Sequence, residues 1–296
     1  MSTIFRVLRA GPLASIQDEG RFGMLRHGIS ASGPMDGSAF RAASLGGRGG
    51  LEITTAGIEL EAMEGNCRIG FSGGRFKIRI NGKAIDWPGS ADIRRGDIIA
   101  ITPGPAGNYG YVRFDSDIAA EPVLGSIATS TRAGLGGITG RALRAGDVIA
   151  LADIATRTIA QPATPEATGL IRVIWGLHAD LFAPDVRAGF FAAQFRVSTR
   201  MDRMGVRLED NDRVFADATI LSLVSDAIVP GDIQILGDGT PIVLMRDHQP
   251  TGGYPRIATV ITADLDRFAQ LRPGCAVAFE PVGVDHAQAL LRRDRP

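Results

Sequence analysis

Residues 238–259 have the sequence DGTPIVLMRDHQPTGGYPRIAT. An Asp-Gly turn leads into the apolar run 242–245, which is typical of a buried strand, and a second strand is predicted at 257–261. The loop between them contains two prolines, which stiffen it. It also contains two glycines, which allow positive φ or a close approach of the main chain to a ligand.

This loop concentrates polar side chains in a short space. Asp247, His248 and Gln249 directly follow the first strand, and Thr251 and Tyr254 lie a few residues further on. An acid, an imidazole, an amide and a hydroxyl on one rigid loop are what a small-molecule site needs. A polar hairpin loop without a ligand explains the same residue types, so the pattern alone leaves both interpretations open.

The overall composition is that of an ordinary globular protein. Of the 296 residues, 45% are hydrophobic and 22% are charged, and 32 basic residues balance 32 acidic ones. A net charge of zero provides no electrostatic footprint for nucleic acid or for an anionic membrane surface. No apolar run approaches the roughly 18 residues of a membrane span. Cys67 and Cys275 are far apart and no secretion signal is recognisable, so we expect reduced thiols in a cytoplasmic protein.

Short β-rich runs recur along the whole chain, separated by glycine and proline. Many short strands with frequent turn signals predict a mainly-β fold, either a sandwich or a barrel. Besides the hairpin described above, the predicted strands are 4–8, 67–71, 76–80, 98–101, 109–114, 148–151, 171–175 and 276–279.

A glycine turn that launches a strand recurs in both halves of the chain and suggests two β domains of similar design. Residues 153–169 carry Ala, Thr, Pro and Gln without periodicity, as expected of a linker. We therefore predict an N-terminal domain at 1–155 and a C-terminal domain at 168–296. The turns are Gly96-Asp97, Gly146-Asp147, Gly231-Asp232 and, with cysteine replacing aspartate, Gly274-Cys275.

Helices are predicted to be few and short. Apolar residues at helical spacing indicate helices at 36–45, 264–271 and 284–293, and Ser32 or Asp36 could cap the first. Four scattered histidines have no metal-binding spacing, so no metal is predicted. The run GLGGITG at 134–140 matches neither GxGxxG nor Walker A, which favours a tight β connection over a phosphate-binding loop.

Two further polar clusters are candidate binding segments. In residues 17–36, a helix N-terminus beside Ser32 could hold an anion through its backbone N–H groups, although a simple helix cap explains the same residues. In the second cluster, Arg203 and Arg207 could clamp a carboxylate or phosphate. A surface ion-pair network with the neighbouring acids is the alternative.

These clusters belong to a series of motifs through which the chain resembles the biotin-dependent carboxyltransferase family, also called allophanate hydrolase subunit 2 or the KipA family. The resemblance covers essentially the whole chain. The family includes the C subunit of the bacterial ATP-dependent 5-oxoprolinase and part of the carboxyltransferase region of urea carboxylase. The motifs are Gln17-Asp-x-Gly-Arg21, Ser32-Gly-x-Met-Asp36, Val123-Leu-Gly-Ser126, Ala133-Gly-x-Gly-Gly137 with Gly140-Arg141, Asp202-Arg-Met-Gly-x-Arg-Leu208 and Gln249-x-Thr-Gly-Gly-Tyr-Pro255.

The resemblance implies two cyclophilin-like β-barrel domains with a few short helices. It also implies two partners, a KipI-like B subunit and a LamB/YcsF-type A subunit, and ATP-dependent hydrolysis of 5-oxoproline to glutamate by the assembled complex. One alternative is carboxyl transfer from carboxybiotin to urea or a similar amide. In that case biotin would arrive on another chain, because neither Lys77 nor Lys83 sits in a Met-Lys pair. Another is a non-catalytic KipA-like regulator that binds a KipI-like protein.

Under the 5-oxoprolinase hypothesis, the polar segments are expected to converge on one cleft that binds a small amide or lactam. Substituting Asp247 or Arg203 by alanine is expected to abolish activity with little change in melting temperature, unless the pair is structural. The candidate catalytic residues are Asp247, His248 and Arg203. The candidate substrate-binding residues are Gln17, Asp18, Arg21, Ser32, Asp36, Arg207, Gln249, Thr251, Gly252, Gly253 and Tyr254.

The chain departs from the family pattern at several positions. Asp115-Ser116 replaces a usual Gly-Gly turn, Ser44 stands where asparagine is usual, and Pro250 replaces the first of two threonines. The helix after Asp36 is also shortened. These departures bear more on the specific activity than on the fold.

Overall fold

The computed structural model describes residues 3–152, 169–216 and 223–293. Of these residues, 41% lie in strands and 14% in helices, which confirms the predicted mainly-β class with two barrel-like sheets and short helices. Within the described ranges, no helix is long and apolar enough to cross a membrane. The predicted linker lies almost entirely outside these residues, so the predicted domain boundary stays a prediction.

The chain divides into two compact units, whose residues differ from those of the predicted domains at the segment 24–30. The sequence assigned residues 24–30 to the N-terminal domain, whereas their contacts place them in the second unit. This segment contains a short 3-10 turn, Leu25–His27, which ends at Gly28. Gly23, just before the segment, and Gly28 both have a φ of 81°. Unit 1 comprises Met1–Gly23 and Ala31–Pro165, and unit 2 comprises Met24–Ser30 and Glu166–Pro296.

The described part of unit 1 contains nine named strands and one α-helix. The strands are β1 (Ile4–Ala10), β2 (Ser15–Gln17), β3 (Gly50–Ile53), β4 (Ile58–Glu64), β5 (Asn66–Ile80), β6 (Lys83–Ile85), β7 (Gly89–Arg94), β8 (Ile98–Phe114) and β9 (Val148–Ala150), and the helix is α1 (Gly37–Ala42). The strands form one sheet in the order β2-β3-β8-β4-β1-β9, with β5 joining β8 to β6 and β7. Alternate residues of β4, such as Ile58 and Leu60, are fully buried, as expected of strands with one face on the core.

Strands β5 and β8 are each one long strand where the sequence predicted two short ones. The predicted strands 67–71 and 76–80 are parts of β5, and 98–101 and 109–114 are parts of β8. The intervening glycines and prolines do not break the strands, because register shifts near Arg75 absorb them. A Cβ on Gly104 would lie 1.6 Å from the Arg75 carbonyl oxygen, so this glycine permits a close approach of two strands rather than a turn.

The recurring Gly-Asp turn has the same hydrogen bond at all three aspartates. In each turn the carboxylate accepts from the backbone N–H three residues earlier, which fixes the chain just before the next strand. The donors are Arg94 to Asp97 at 2.7 Å, Arg144 to Asp147 at 2.9 Å and Val229 to Asp232 at 3.0 Å.

The described part of unit 2 has a second, mainly antiparallel sheet in which only the β10–β19 pair is parallel. Its order is β18-β11-β12-β15-β14-β17-β10-β19, and β13 and β16 form a separate short ribbon. The strands are β10 (Ile171–Trp175), β11 (Phe195–Met201), β12 (Gly205–Glu209), β13 (Asp226–Ala227), β14 (Asp232–Ile235), β15 (Pro241–Leu244), β16 (Thr251–Gly252), β17 (Arg256–Val260), β18 (Ala276–Val277) and β19 (Phe279–Pro281). The helices are α2 (Pro184–Ala192), α3 (Thr262–Ala269) and α4 (Val284–Arg293).

The three predicted helices are present, and one helix was missed. Helix α4 has the predicted bounds, α3 begins two residues early, and α1 is shorter than predicted, with Asp36 as its cap. Helix α2 was not predicted because Gly189 interrupts its apolar pattern, although Pro184 in its first turn is a start signal. Phe190 of this helix packs with Phe195 and Phe279 in the core of unit 2.

Candidate functional site

A buried ion pair anchors the polar loop in unit 2. The Arg203 Nε donates to Asp247 Oδ2 at 2.8 Å and its Nη2 donates to Oδ1 at 3.2 Å, and both side chains are at most 4% exposed. The main chains are also joined, since the Asp247 N–H donates to the Arg203 carbonyl at 2.7 Å. The structure thus brings these two candidates together. It commits the Asp247 carboxylate to arginine, which leaves it poorly suited to act as a base.

His248 is held immediately beside this pair. Its ring is buried, and its Nδ1 lies 2.5 Å from the Gln249 carbonyl oxygen. A carbonyl can only accept, so this contact places a proton on Nδ1 and makes Nε2 the basic atom of the neutral ring. The backbone N–H of His248 donates to the Met245 carbonyl at 3.1 Å, which fixes the turn that carries the imidazole.

The loop glycines are required for packing rather than for positive φ. Neither Gly252 nor Gly253 is among the positive-φ residues. A Cβ on Gly252 would lie 2.6 Å from Gln234 Nε2, and a Cβ on Gly253 would lie 2.8 Å from the Leu223 carbonyl oxygen. Gln234 is 1% exposed, and its Nε2 has no hydrogen-bond partner within the described ranges. This glutamine was not a sequence candidate because it looks like an ordinary strand residue.

The remaining loop and arginine candidates are more exposed. Thr251 pairs with Ala227 across the β13–β16 ribbon and has an exposed side chain, as does Tyr254, which is 38% exposed. Arg207 lies opposite Ile242 in β15 rather than beside Asp247. The pKa of Asp238 is lowered by hydrogen bonds from Thr240 and by the charge of Arg207. Arg203 and Arg207 therefore have different described neighbours, and a clamp formed by the two stays a prediction.

A second buried arginine in unit 2 was not anticipated from the sequence. Arg256 donates to Asp226 and to the Ala227 carbonyl, at 2.8 and 2.7 Å, and lies 3.5 Å from Asp232. Its backbone N–H donates to His178 Nδ1 at 3.3 Å. Burial and the positive charge of Arg256 lower the pKa of His178. The partners are remote in sequence, so no local pattern could have revealed this cluster.

In unit 1, Asp18 forms the centre of a buried hydrogen-bond cluster. Its carboxylate accepts from the Ser126 hydroxyl at 2.5 Å, the Ile127 N–H at 2.8 Å and the Gly20 N–H at 3.0 Å. Arg21, which is 1% exposed, donates to the Ala128 carbonyl at 2.6 Å. These two candidates hold the segment 123–129 against the end of β2.

Gln17 and Ser32 each bury an oxygen atom that no described group satisfies. The Gln17 amide donates to Ser15 and to the Thr129 carbonyl, but its Oε1 accepts from no described residue. The Ser32 hydroxyl is likewise buried without a described partner, and Ser32 has a φ of 56°. Buried polar atoms without partners are uncommon and mark positions worth testing for function.

Asp36 caps helix α1, in line with one of the two sequence interpretations. Its carboxylate accepts from the Ala39 N–H at 2.8 Å, and its own N–H donates to the Tyr111 hydroxyl at 2.8 Å. That hydroxyl donates to Glu52 at 2.9 Å, and Glu52 is fully buried. Burial and the nearby carboxylates raise the pKa of Tyr111 well above its usual value. Asp36 therefore acts locally as a cap within a buried network.

A groove of about 380 Å³ lies in unit 1 beside the glycine-rich run 134–140. Its lining comes from β2, β9, the segment 118–123 and that glycine run. Leu135 forms a bridge with Ser130, which supports the predicted tight β connection. No lysine or arginine lines the groove, so it lacks the charge expected of a phosphate site.

Of the three predicted binding segments, the structure brings two together, and the convergence of all three stays a prediction. The Arg203 segment and the Gln249 loop meet within unit 2, whereas Gln17, Asp18, Arg21, Ser32 and Asp36 belong to unit 1. A single cleft formed by all three segments stays a prediction. In the described part of the chain, no group of histidine, cysteine and acidic residues could hold a metal ion.

The family model described as carboxyltransferase domain, subdomain A and B, matches residues 27–281. The chain belongs to this family. The resemblance inferred from the sequence motifs is thereby confirmed. Carboxyltransferase-domain relatives with related sequences include the 5-oxoprolinase C subunit of Haemophilus influenzae, 33% identical over 95% of this chain and 92% of that protein. They also include the 5-oxoprolinase C subunit of Escherichia coli, 30% identical over 96% and 93%.

A carboxyltransferase-domain relative of known structure is the urea amidolyase of Kluyveromyces lactis. It superposes with a TM-score of 0.88 at 28% identity, over 98% of this chain. The chain spans only 19% of the length of that urea amidolyase. The likeness therefore supports the fold of both units, while the activity of the much longer protein does not carry over with it.

Proposed function

We propose that the chain is the C subunit of an ATP-dependent 5-oxoprolinase-type amidohydrolase. The supporting observation is the match to two proteins named as 5-oxoprolinase C subunits, along nearly the full length of both partners. The urea amidolyases match over only 17% of their length. The match to the C subunits thus extends along those proteins, whereas the match to the urea amidolyases is confined to one region of them.

The proposed reaction opens the lactam of 5-oxoproline to give glutamate. A lactam carbonyl is unreactive, and transfer of the ATP γ-phosphoryl group to its oxygen would turn that oxygen into a leaving group. Such transfer needs positive charge or backbone donors around the phosphates. The groove of unit 1 offers no basic side chain, so we propose that ATP is held by the partner subunits.

Within this chain, His248 is the best-placed group for moving a proton. Its Nδ1 is engaged by the Gln249 carbonyl, which makes Nε2 the atom able to accept a proton. The Arg203–Asp247 pair fixes the turn that carries His248 and is proposed to position it. Gln249 through Tyr254 would then border the substrate, as the sequence pattern suggested.

The partners follow from the proposed assignment. The relatives are named as subunits, and we propose that this chain acts with a KipI-like B subunit and a LamB/YcsF-type A subunit in the cytoplasm. Without them we expect no turnover, because the described part of the chain presents no recognisable ATP site.

A second candidate function is carboxyl transfer from carboxybiotin to an amide such as urea. The family description and the superposition on urea amidolyase favour it. Biotin would be carried by another chain, since Lys77 and Lys83 lie in Phe-Lys-Ile and Gly-Lys-Ala contexts.

Reconstitution of the purified chain with its KipI-like and LamB/YcsF-type partners separates these functions. The proposed function predicts ATP consumption that depends on 5-oxoproline. Consumption of carboxybiotin that depends on urea would instead support the second function, and partner binding without turnover would indicate a KipA-like regulator. We expect His248→Ala to lower the 5-oxoproline-dependent rate by about 100-fold or more, the usual contribution of a proton-transfer group. The exposed His286 on α4 provides the matched control, and His286→Ala should leave the rate unchanged.

A further inference from the structure

The loop Gln249–Tyr254 lies between two arginine anchors in unit 2. Before the loop, Asp247 is paired with Arg203, and both side chains are at most 4% exposed. Directly after the loop, Arg256 begins β17 with a side chain that is 5% exposed. The first anchor fixes the turn at the start of the loop, and the second is placed to fix its glycine end, residues 251–253.

The glycine end is held through the β13–β16 ribbon. The two strands of this ribbon pair with each other and lie apart from the eight-stranded sheet. Two more bonds join the same segments. The Leu223 N–H donates to the Gly253 carbonyl at 2.6 Å, and the Ile228 N–H donates to the Pro250 carbonyl at 3.3 Å. The position of the glycine end therefore depends on what fixes the segment 223–228.

That segment is fixed by the guanidinium of Arg256. Its Nη1 donates to the Ala227 carbonyl at 2.7 Å, and its Nη2 donates to the Asp226 carboxylate at 2.8 Å. Its Nη1 also lies 3.5 Å from Asp232, at the start of β14. Asp232 in turn accepts from the Thr259 hydroxyl of β17 at 2.7 Å. One guanidinium thus ties the ribbon to the eight-stranded sheet.

This second anchor has a solvent-exposed partner, unlike the first. The side chain of Asp226 is 57% exposed, whereas that of Asp247 is 3% exposed. An ion pair that faces water contributes little, because water competes for both charges. The ribbon is therefore attached more weakly than the turn at Asp247, and the glycine end is the part of the loop that can be released.

A histidine makes the second anchor sensitive to pH. The Nδ1 of His178 accepts from the backbone N–H of Arg256 at 3.3 Å and from its Nε at 3.5 Å. A ring nitrogen that accepts carries no proton, so the ring is neutral with its proton on Nε2. Protonation would remove this acceptor and place a second cation against the guanidinium. The charged groups around the ring are Arg256 on β17, Asp226 on β13 and Asp232 on β14.

The pKa of His178 gives the direction of this effect. Burial and the charge of Arg256 lower it, and the carboxylates of Asp226 and Asp232 oppose that shift. The neutral ring is favoured while the cluster is intact, whereas a solvated ring, with a pKa of about 6.5, takes up a proton more readily. The anchor is therefore at full strength above pH about 6.5 and weakens as the pH falls through the lowered pKa of His178.

We propose that Arg256 is a positioning residue for the Gln249–Tyr254 loop, which it holds through the β13–β16 ribbon, and that protonation of His178 releases this hold. The inference rests on the proposed function, because that function makes the loop the border of the substrate. The anchor at Asp247 stays closed in mild acid, so the start of the loop keeps its place while the glycine end moves. Mild acid thus weakens substrate binding.

Amide hydrogen exchange on the full chain, without partner subunits, tests the release directly. The N–H groups of Leu223 and Ile228 report the contact between ribbon and loop, and those of β12 are the internal reference. After correction for the intrinsic pH dependence of exchange, we expect the two reporters to exchange about fivefold faster or more at pH about 5 than at pH about 7.5, with β12 unchanged. Asp226→Asn should speed their exchange roughly threefold near neutral pH.

The variants change the partners of Arg256, because loss of the buried guanidinium itself would destabilise unit 2 as a whole. His178→Gln keeps an acceptor for the Arg256 N–H but cannot be protonated, so we expect it to abolish the acid response. Its matched control is His286→Gln, at an exposed position on α4, which should leave the response in place. The control for Asp226→Asn is Asp285→Asn, which removes an exposed carboxylate outside the ribbon and should leave exchange unchanged.

Three results of the exchange measurement would each overturn the proposal. They are the absence of an acid response in the unsubstituted chain, an acid response that persists in His178→Gln, and unchanged exchange in Asp226→Asn. The second result would assign the response to another group, such as His248 in the turn before the loop.

A kinetic measurement in the reconstituted complex tests the positioning role. On acidification, the KM for 5-oxoproline should rise about threefold more in the unsubstituted chain than in His178→Gln, because only the held loop borders the substrate. Turnover with equal KM profiles would count against the positioning role alone. The expected exchange pattern without any 5-oxoproline turnover would count against the proposed function alone.

Discussion

Removing the Asp247 carboxylate should destabilise unit 2 strongly, and this prediction follows from the burial of its ion pair. Asp247→Ala deletes two hydrogen bonds, of 2.8 and 3.2 Å, from a guanidinium whose side chain is 4% exposed. Breaking a buried pair by removing one partner costs about 3–5 kcal/mol, because a buried charge loses its counter-ion. The burial argues against the expectation from the sequence that this substitution leaves the melting temperature nearly unchanged.

A double-mutant cycle separates the pair interaction from the effects of each side chain. Replacing both residues, as Asp247→Leu with Arg203→Met, should cost less than either single substitution, because no buried charge remains. The exposed pair formed by Arg187 with Asp180, whose side chain is 97% exposed, is a matched control. Asp180→Ala should change the free energy of unfolding by less than about 1 kcal/mol.

Urea unfolding followed by tryptophan fluorescence provides the assay. The chain has two tryptophans, and they fall in different units, so Trp87→Phe leaves Trp175 as a reporter of unit 2. A cost of less than about 1 kcal/mol for Asp247→Ala, the level of an exposed pair, would refute the buried-charge penalty. Additivity of the two single substitutions in the double variant would refute it as well.

Three further predictions concern unit 1. The hydrogen bonds from Arg141 lower the pKa of Asp147. The ionised carboxylate therefore stabilises the fold above pH about 4, and this stabilisation is lost as the pH falls through the lowered pKa of Asp147. Urea unfolding across a pH series should show Asp147→Asn to be less stable than the unsubstituted chain near neutrality and equally stable in acid. Arg113 is buried and donates to three backbone carbonyls. Arg113→Met should therefore lower the free energy of unfolding by about 2–4 kcal/mol in the same urea assay. Gly136 and Gly125 both have positive φ, but only a Cβ on Gly136 would meet backbone atoms. In thermal unfolding, Gly136→Ala should therefore lose at least about 2 kcal/mol more stability than Gly125→Ala, and equal losses would contradict this.

Local sequence patterns predicted the parts of the fold that local physics controls. The Gly-Asp turns at Asp97, Asp147 and Asp232 are confirmed, since each is set by a hydrogen bond to a residue three positions earlier. The continuous strand β5 was not predicted, because glycines at 73 and 74 are ordinarily turn signals. Their accommodation depends on a partner strand some 30 residues away along the chain, which no window of sequence contains.

In the candidate site, too, the sequence predicted what depends on local residue types and missed what depends on tertiary packing. The loop residues Asp247 and His248 were identified from their concentration of polar groups, but their burial depends on tertiary packing. Asp18 and Arg21 have the residue types of a ligand clamp, yet most of their hydrogen bonds go to the segment 123–129. Residue types alone cannot separate these roles, because a carboxylate bonds a backbone N–H and a ligand N–H equally well. Gln234 was missed because its position under Gly252 becomes visible only in three dimensions.

The most direct test of the proposed function measures ADP and glutamate together in a reconstituted complex, with and without this chain. We predict that the KipI-like and LamB/YcsF-type partners together with this chain produce glutamate from 5-oxoproline with equal amounts of ADP. We also predict that omission of this chain abolishes the coupled reaction. Undiminished glutamate formation without this chain, or ADP release driven by urea and not by 5-oxoproline, would contradict the proposed function.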